Sequence, residues 1–197
     1  MDKKPISCGY IPGQQFEKPQ SNLGVAPIKS AGYTEQSLKL REVDEIINKT
    51  FVSRSRLRYN LIFDRNGGCE PFYRYKEALV NVGSLMLGIA LGRETRADVI
   101  ETLRMTLVGC MKTGKNMVLY LGRVPVDFLL ELDGGPGNLP WGTIFHFEKW
   151  RKEENFKSIV RPYENVDAFG NKGAYYMQDL FNISILMDID DEEEEEN

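Results

Sequence analysis

The amino-acid sequence predicts an α/β protein, with helices packed on a small, partly parallel sheet. Three observations lead there. Residues 96–111 carry apolar side chains at helical spacing (Val99, Ile100, Leu103, Leu107, Met111) and run into Gly114, a residue suited to ending a helix. Met117-Val118-Leu119-Tyr120-Leu121 follows at once as a nearly continuous apolar run, the pattern of a strand covered on both faces. Helix, tight turn and buried strand make half of a βαβ unit. Residues 181–188, with β-branched side chains and partial alternation, supply a second strand. The organisation expected is an extended arm over residues 1–36, an α/β domain over 37–189, and an acidic tail over 190–197.

Residues 1–36 hold Pro5, Pro12, Pro19 and Pro27 among several glycines, with neither helical nor alternating period. Tyr10, Ile11, Phe16, Leu23, Val25, Ile28 and Tyr33 punctuate this arm like anchors. Such an arm lies on a partner, packs on its own domain, or stays disordered. Residues 37–60 read as a helix, with Val43, Ile46, Ile47, Phe51, Leu57 and Leu61 on one stripe. Its second half bears Lys49, Arg54, Arg56 and Arg58, either a solvated face or a contact for an acidic surface. Asp64-Arg65-Asn66-Gly67-Gly68 is a turn. It opens like a calcium-binding loop, but Glu70-Pro71 breaks the ligand pattern. Residues 72–91 read as a second helix, which Gly83 and Gly88 weaken by about 1 kcal/mol each relative to Ala. Thr95-Arg96-Ala97-Asp98 resembles a capping box opening the third helix. Residues 126–132 suggest a short helix and 133–142 a loop. Residues 144–152 form an aromatic run that reads as core, 157–161 look strand-like, and 170–173 form a turn. The tail is a block of like charge and is expected to be disordered.

Composition narrows the function classes. The chain has 197 residues, 42% hydrophobic and 27% charged, enough for one domain with a sizeable core. No apolar run reaches the roughly 18 residues that span a bilayer, and the first residues lack a signal-peptide pattern. Cys8, Cys69 and Cys110 stand far apart and form no C-x-x-C pair, which points to free thiols and a cytoplasmic protein rather than a disulfide framework or zinc site. The net charge of −4 conceals a division, because eight acids and no base lie from Asp188 onward. The remainder holds 25 basic and 21 acidic residues, too mild an excess for a dedicated nucleic-acid binder. The acidic tail would compete with anions for the basic helix.

Gly109-Cys110-Met111-Lys112-Thr113-Gly114-Lys115-Asn116 has the spacing of a phosphate-binding loop, G-x-x-x-x-G-K-[ST], except that Asn116 replaces the magnesium-holding hydroxyl. Such a loop leaves a strand and enters a helix, whereas here a helix precedes and a strand follows. If Lys115 nevertheless held a phosphate between Gly109 and Gly114, Asp188 is the acid placed to orient magnesium. The alternative is a helix-ending Gly114 beside solvated lysines. His146, the one histidine, sits between Phe145 and Phe147 and reads as structural rather than as a general base. No cysteine has a local activation motif, and no metal-ligand cluster stands out. Trp141, in Leu139-Pro140-Trp141, is either an exposed aromatic tip for recognition or a cap on the core.

Two resemblances extend this reading. Gly9-Tyr10-Ile11-Pro12-Gly13 resembles the short Tyr/Pro/Gly motifs of proteins that line ciliary doublet microtubules, whose extended arms lie between tubulin subunits. The helix-Gly-Lys-strand segment, with residues 181–188, looks like a worn P-loop or Rossmann-like core, similar in style to nucleotide-inactive modules of dynein-type motors. Together they imply a non-enzymatic structural or adaptor protein without a cofactor, associated with axonemal microtubules of the cilium. Its partners would be proteins such as tubulin, not membrane and not nucleic acid. The implied contact residues are Tyr10, Ile11, Pro12, Phe16, Arg54, Arg56, Arg58 and Trp141. A divergent P-loop nucleotide-binding protein or small kinase using Lys115 is the alternative.

Overall fold

A computed structural model describes residues 6–9, 36–40, 42–43, 59–167 and 169–190. Their strands are β1 (Ile6–Gly9), β2 (Gln36–Leu38), β3 (Asn60–Asp64), β4 (Ala78–Asn81), β5 (Asn116–Gly122) and β6 (Asn182–Asp188). The helices are α1 (Cys69–Lys76), α2 (Val82–Ala90), α3 (Arg96–Thr113), α4 (Phe128–Glu131), α5 (Trp141–Ile144), α6 (Phe147–Trp150) and α7 (Glu153–Phe156), the last continuing into a 3-10 turn at Lys157–Ile159.

The sheet order is β2-β1-β3-β6-β5-β4. β3, β6, β5 and β4 run parallel, while β1 joins β3 and β2 antiparallel. The fold is therefore α/β around a four-stranded parallel sheet. The chain passes from β3 over two strands to β4, then steps back through β5 to β6. Right-handed crossovers in opposite directions place their helices on opposite faces. The side chains follow that division. Met117, Leu119 and Ile183 face α3 and the larger core, whereas Val118, Leu186 and Ile62 face Cys69 and Tyr73 of α1, with Val43 beside them. This alternation along β5 explains its unbroken apolar sequence.

α3 is as expected. Thr95 caps it by accepting from the Asp98 N–H at 3.2 Å, and Gly114 ends it at φ +73°, a left-handed conformation that favours glycine. The single helix expected over 72–91 is corrected to α1, β4 and α2. Glu77 turns extended and ends α1, Leu79 and Val80 pair with Val118 and Leu119 of β5, and Asn81 caps α2 by accepting from Ser84 N–H. Strand pairing with an already buried neighbour outweighs the helical period here. Residues 157–161 form the 3-10 turn with extended Val160 instead of a strand, and the aromatic run at 144–152 divides into the ends of α5 and α6. Within the expected helix 37–60, Ser37 lies in β2 and Leu40, Glu42 and Val43 are helical. Residues 44–58 lie outside the described residues.

The connection from β5 to β6 has no long helix to bury, since α4 to α7 are four residues each. Aromatic packing and one guanidinium hold it. Trp141 stacks on Phe145 at 5.0 Å and tilts against Phe128 at 4.9 Å. Fully buried Arg104 of α3 donates twice to Glu101, twice to Glu164 and once to the Ile159 carbonyl, at 2.6–2.9 Å. All five of its N–H donors are used. Arg161 adds a 3.1 Å bond to Glu101.

These contacts make part of the stability depend on acid pH. The bond from Arg104, followed by that from Arg161 and their charges, lowers Glu101 from 4.5 to about 2 against a smaller burial effect. Burial raises the Glu164 carboxyl, but its bonds from Arg104 and the Arg161 N–H outweigh this and hold it low. A depressed folded-state value stabilises fully above the unfolded one. Glu101's contribution is therefore complete above pH 4.5 and lost as pH falls toward 2. Urea unfolding at neutral pH should show Arg104→Ala destabilised by about 3–5 kcal/mol, because it strands Glu164 without its partner; repeated at falling pH, the gap to wild type should narrow over that window.

Gly83 offers an opposite-sign test of packing. A Cβ there would sit 2.5 Å from the Leu121 carbonyl oxygen, which is backbone and cannot rotate away. Helix propensity alone favours Gly83→Ala by about 1 kcal/mol, whereas this clash should make the variant about 1–3 kcal/mol less stable. Denaturant midpoints decide the sign.

Candidate functional site

The two ends of the parallel sheet differ in chemistry. At the end where β5 and β6 begin, buried Asn116 donates to Ser184 Oγ at 3.0 Å and accepts from it at 3.2 Å, with Asn60 at 3.5 Å on the same oxygen. The Asn116 N–H is taken by Glu77 at 3.1 Å. Asn116 therefore ties neighbouring strands together.

The phosphate-loop spacing falls at this end, and its nucleotide reading is corrected. Gly109 is inside α3, and Gly114 is its C-terminal cap. The N–H groups of Gly114 and Lys115 donate to the Cys110 carbonyl at 2.9 and 3.2 Å, and the Thr113 hydroxyl donates to the Gly109 carbonyl. A helix C-terminus presents carbonyls and negative potential, the opposite of a phosphate cradle. Asp188 stands at the other end. Asn116 pairs with Asn182 and Gly122 with Met187, so Lys115 and Asp188 are separated by the strand length, about 20 Å at roughly 3.3 Å per residue. The structure does not bring them together.

Open parallel sheets bind ligands beyond the carboxyl ends of their strands. Here that edge is acidic. Asp64 and Asp188 end β3 and β6 as a paired register position. Buried Asp64 accepts from Asn66 N–H at 2.9 Å and Cys69 N–H at 2.6 Å, joining the turn to the start of α1. Asp188 accepts from the Tyr120 hydroxyl at 2.5 Å. Burial first, then the Asp188 bond and the charges of Asp188, Glu70 and Asp64, push Tyr120 up to about 12, so it remains a donor. Exposed Arg123 pairs with Asp190 at 2.9 Å. Three carboxylates around one protonated phenol oppose an anionic ligand. Among the described residues no group of three or more His, Cys, Asp or Glu is placed to hold a metal ion. Sequence reasoning missed this edge because it arises from pairing β3 with β6, 124 residues apart at Asp64 and Asp188. The one local signal is an acid closing each strand.

Trp141 as an exposed recognition tip is corrected as well. The ring is fully buried, and its backbone N–H donates to Asp133 at 2.9 Å. Arg96 fastens the same segment by donating to the Glu131 and Asp133 carbonyls. Trp141 was a hydrophobic anchor, and only the fold could show which surface it fills. His146 is exposed at the start of α6, not in the core, while neighbouring Phe147 is buried. Cys110 is buried, and burial, then the Glu77 charge, pushes its thiol up to about 12, which suits packing and not nucleophilic attack. Among the described residues no helix is long and apolar enough to cross a membrane.

The remaining expected contact residues, Tyr10, Ile11, Pro12, Phe16, Arg54, Arg56 and Arg58, lie outside the described residues. β1 and β2 pair through Ile6–Leu38, Ser7–Ser37 and Cys8–Gln36. The two strands that flank residues 10–35 in the sequence thus lie side by side at one edge of the sheet, and the boundary expected at residue 37 falls within β2.

Thermal unfolding with magnesium-ATP or magnesium-GTP should leave the midpoint unchanged for wild type and for Lys115→Ala, whereas a true site at about 100 times its Kd would add roughly 2.7 kcal/mol. Comparison with known protein families, curated proteins and solved structures finds no match to this chain.

Proposed function

We propose that this chain is a non-enzymatic structural adaptor that binds a larger protein assembly through residues 10–35 and the basic segment containing Arg54, Arg56 and Arg58. The observation that carries the proposal is the β1–β2 pairing, which tethers both ends of the anchor-rich segment to a folded body. A connection of this length inside a domain is unusual unless it has a function of its own or is disordered. Tethering both ends also lowers the ordering cost of laying such a segment on a partner.

The resemblance of Gly9-Tyr10-Ile11-Pro12-Gly13 to motifs of doublet-microtubule proteins makes tubulin the partner to test, with the axoneme as the setting and the cytoplasm as the wider location. Tubulin's acidic surface suits Arg54, Arg56 and Arg58. The finer fold expectation, a worn P-loop or Rossmann-like core without nucleotide chemistry, belongs to the same proposal. Four parallel strands with helices on both faces support it, whereas the place of Lys115 at the opening end of β5 speaks against an active loop there.

Co-sedimentation with microtubules tests the reading on the full chain. Wild type should pellet, less so as salt rises, and a Tyr10→Ala, Ile11→Ala, Phe16→Ala variant should stay in the supernatant. No pelleting by wild type would remove tubulin as the partner. Equal pelleting of the variant would remove the arm as the binding element.

A further inference from the structure

We infer that Asn66 is a self-modifying site: its side-chain amide cyclises onto the backbone nitrogen of Gly67 and deamidates, and the product loosens α1 from the sheet. Asparagine is among the thermolabile side chains. The residue after it governs how readily the ring closes, because the attacking group is that residue's backbone nitrogen. Asn66-Gly67 is the one place in the chain where glycine follows asparagine. Asn66 is exposed in the turn between β3 and α1. Gly67 has φ +65°, and a side chain added to it would meet nothing within 4 Å. Among the described residues the Gly67 N–H donates to no acceptor, whereas the N–H groups of Asn66 and Cys69 on either side are held by Asp64. The nucleophilic nitrogen is therefore unshielded and carries no hydrogen bond that ring closure must break.

The step balances with water as its only co-reactant. A base removes the Gly67 N–H proton, the nitrogen attacks Asn66 Cγ, and the Cγ–Nδ2 bond breaks with release of ammonia. Water then opens the succinimide ring at either carbonyl. One opening leaves aspartate at this position. The other leaves isoaspartate, in which the main chain runs through the former side chain. Asp133-Gly134 is the chemically similar pair, and the fold protects it. Asp133 accepts from Trp141 N–H at 2.9 Å, and Gly134 N–H donates to the Leu139 carbonyl at 2.9 Å. The space beside Gly134 is also filled, with Ile100 2.9 Å from where a Cβ would stand.

The consequence follows from what the turn holds. Buried Asp64 accepts from Asn66 N–H at 2.9 Å with one oxygen and from Cys69 N–H at 2.6 Å with the other. Cys69 opens α1 and, with Tyr73, packs on Ile62, Val118 and Leu186. An isoaspartate adds a carbon to the main chain between those two N–H groups, so one carboxylate no longer fits both. Either product also places a new negative charge two residues from Asp64, whose register partner is Asp188. The smaller core on this face loses part of its anchoring, while α3 and the larger core on the other face keep theirs. This chemistry is independent of what residues 10–35 bind.

Peptide mapping of the full chain after incubation in warm, mildly alkaline buffer tests it. Trypsin releases residues 66–74, in which Asn66 is the only asparagine, so a mass gain matching replacement of NH2 by OH locates the change. Wild type should convert progressively at Asn66, into aspartate and isoaspartate forms separable by chromatography. The fragments bearing Asp133, Asn138, Asn165 and Asn171 should stay unchanged. Asn66→Gln, which keeps an amide but needs a larger ring, should remain intact, and Gly67→Ala should slow conversion severalfold. In parallel, the urea midpoint of wild type should fall as the converted fraction grows, while that of Asn66→Gln holds. An Asn66 that stays intact while a free peptide of residues 59–74 converts overturns the inference, as does conversion spread evenly over the other asparagines. A midpoint unmoved by full conversion overturns the loosening of α1.

Discussion

The guanidinium of Arg104 is the interaction on which the connection between β5 and β6 depends. The chain between β5 and β6 must cover one face of the sheet without a long helix, so it has no continuous apolar stripe of its own. Arg104 rises from the middle of α3 into that connection and occupies all five donors on Glu101, Glu164 and the Ile159 carbonyl. Tyr175 donates to the Val108 carbonyl and Gln178 N–H to the Met111 carbonyl, fastening the later part of the same connection to α3. A charge buried this deeply is tolerable only because no donor is left over. Irregular backbone can therefore be placed here as firmly as a helix, and β6 is delivered into the middle of the sheet.

With β6 inserted between β3 and β5, the two ends of the sheet take on different characters. One end is closed by Asn60, Asn116 and Ser184 in mutual hydrogen bonds, while the other collects Asp64, Asp188 and the hydroxyl of Tyr120. Among the described residues, neither end presents a cationic, N–H-rich concavity of the kind a phosphate cradle uses. The sheet's lateral edges are formed by short strands. β2, paired with β1, forms one, and uncharged β4 forms the other.

Much of the fold was legible because local physics agreed with the tertiary result. For α3, the Thr95 cap, the apolar period and Gly114 all favoured one helix, and burial selected the same residues. β5 was legible because a strand covered on both faces reads as an apolar run, and β6 through its β-branched residues and partial alternation. The capping turn at Asp64 was visible as a turn, but its carboxylate's bonds to Asn66 and Cys69 were not. The phosphate-loop spacing was visible too. Its meaning was not, since spacing says nothing about which end of a sheet a segment reaches.

What the sequence by itself determined was the class, the central helix and strands β5 and β6, each specified by local pattern: a helical period with caps for α3, an apolar run for β5, and partial alternation for β6. Tertiary structure alone decided that Leu79-Val80 leave a helical pattern for a strand, that Trp141 turns inward onto Phe128 and Phe145, and that Lys115 and Asp188 stand at opposite ends of the sheet. Those outcomes depend on partners far away in the chain. A short apolar segment gains about as much by burial in a helix as in a strand, and only the neighbour that supplies the remaining hydrogen bonds settles which it becomes.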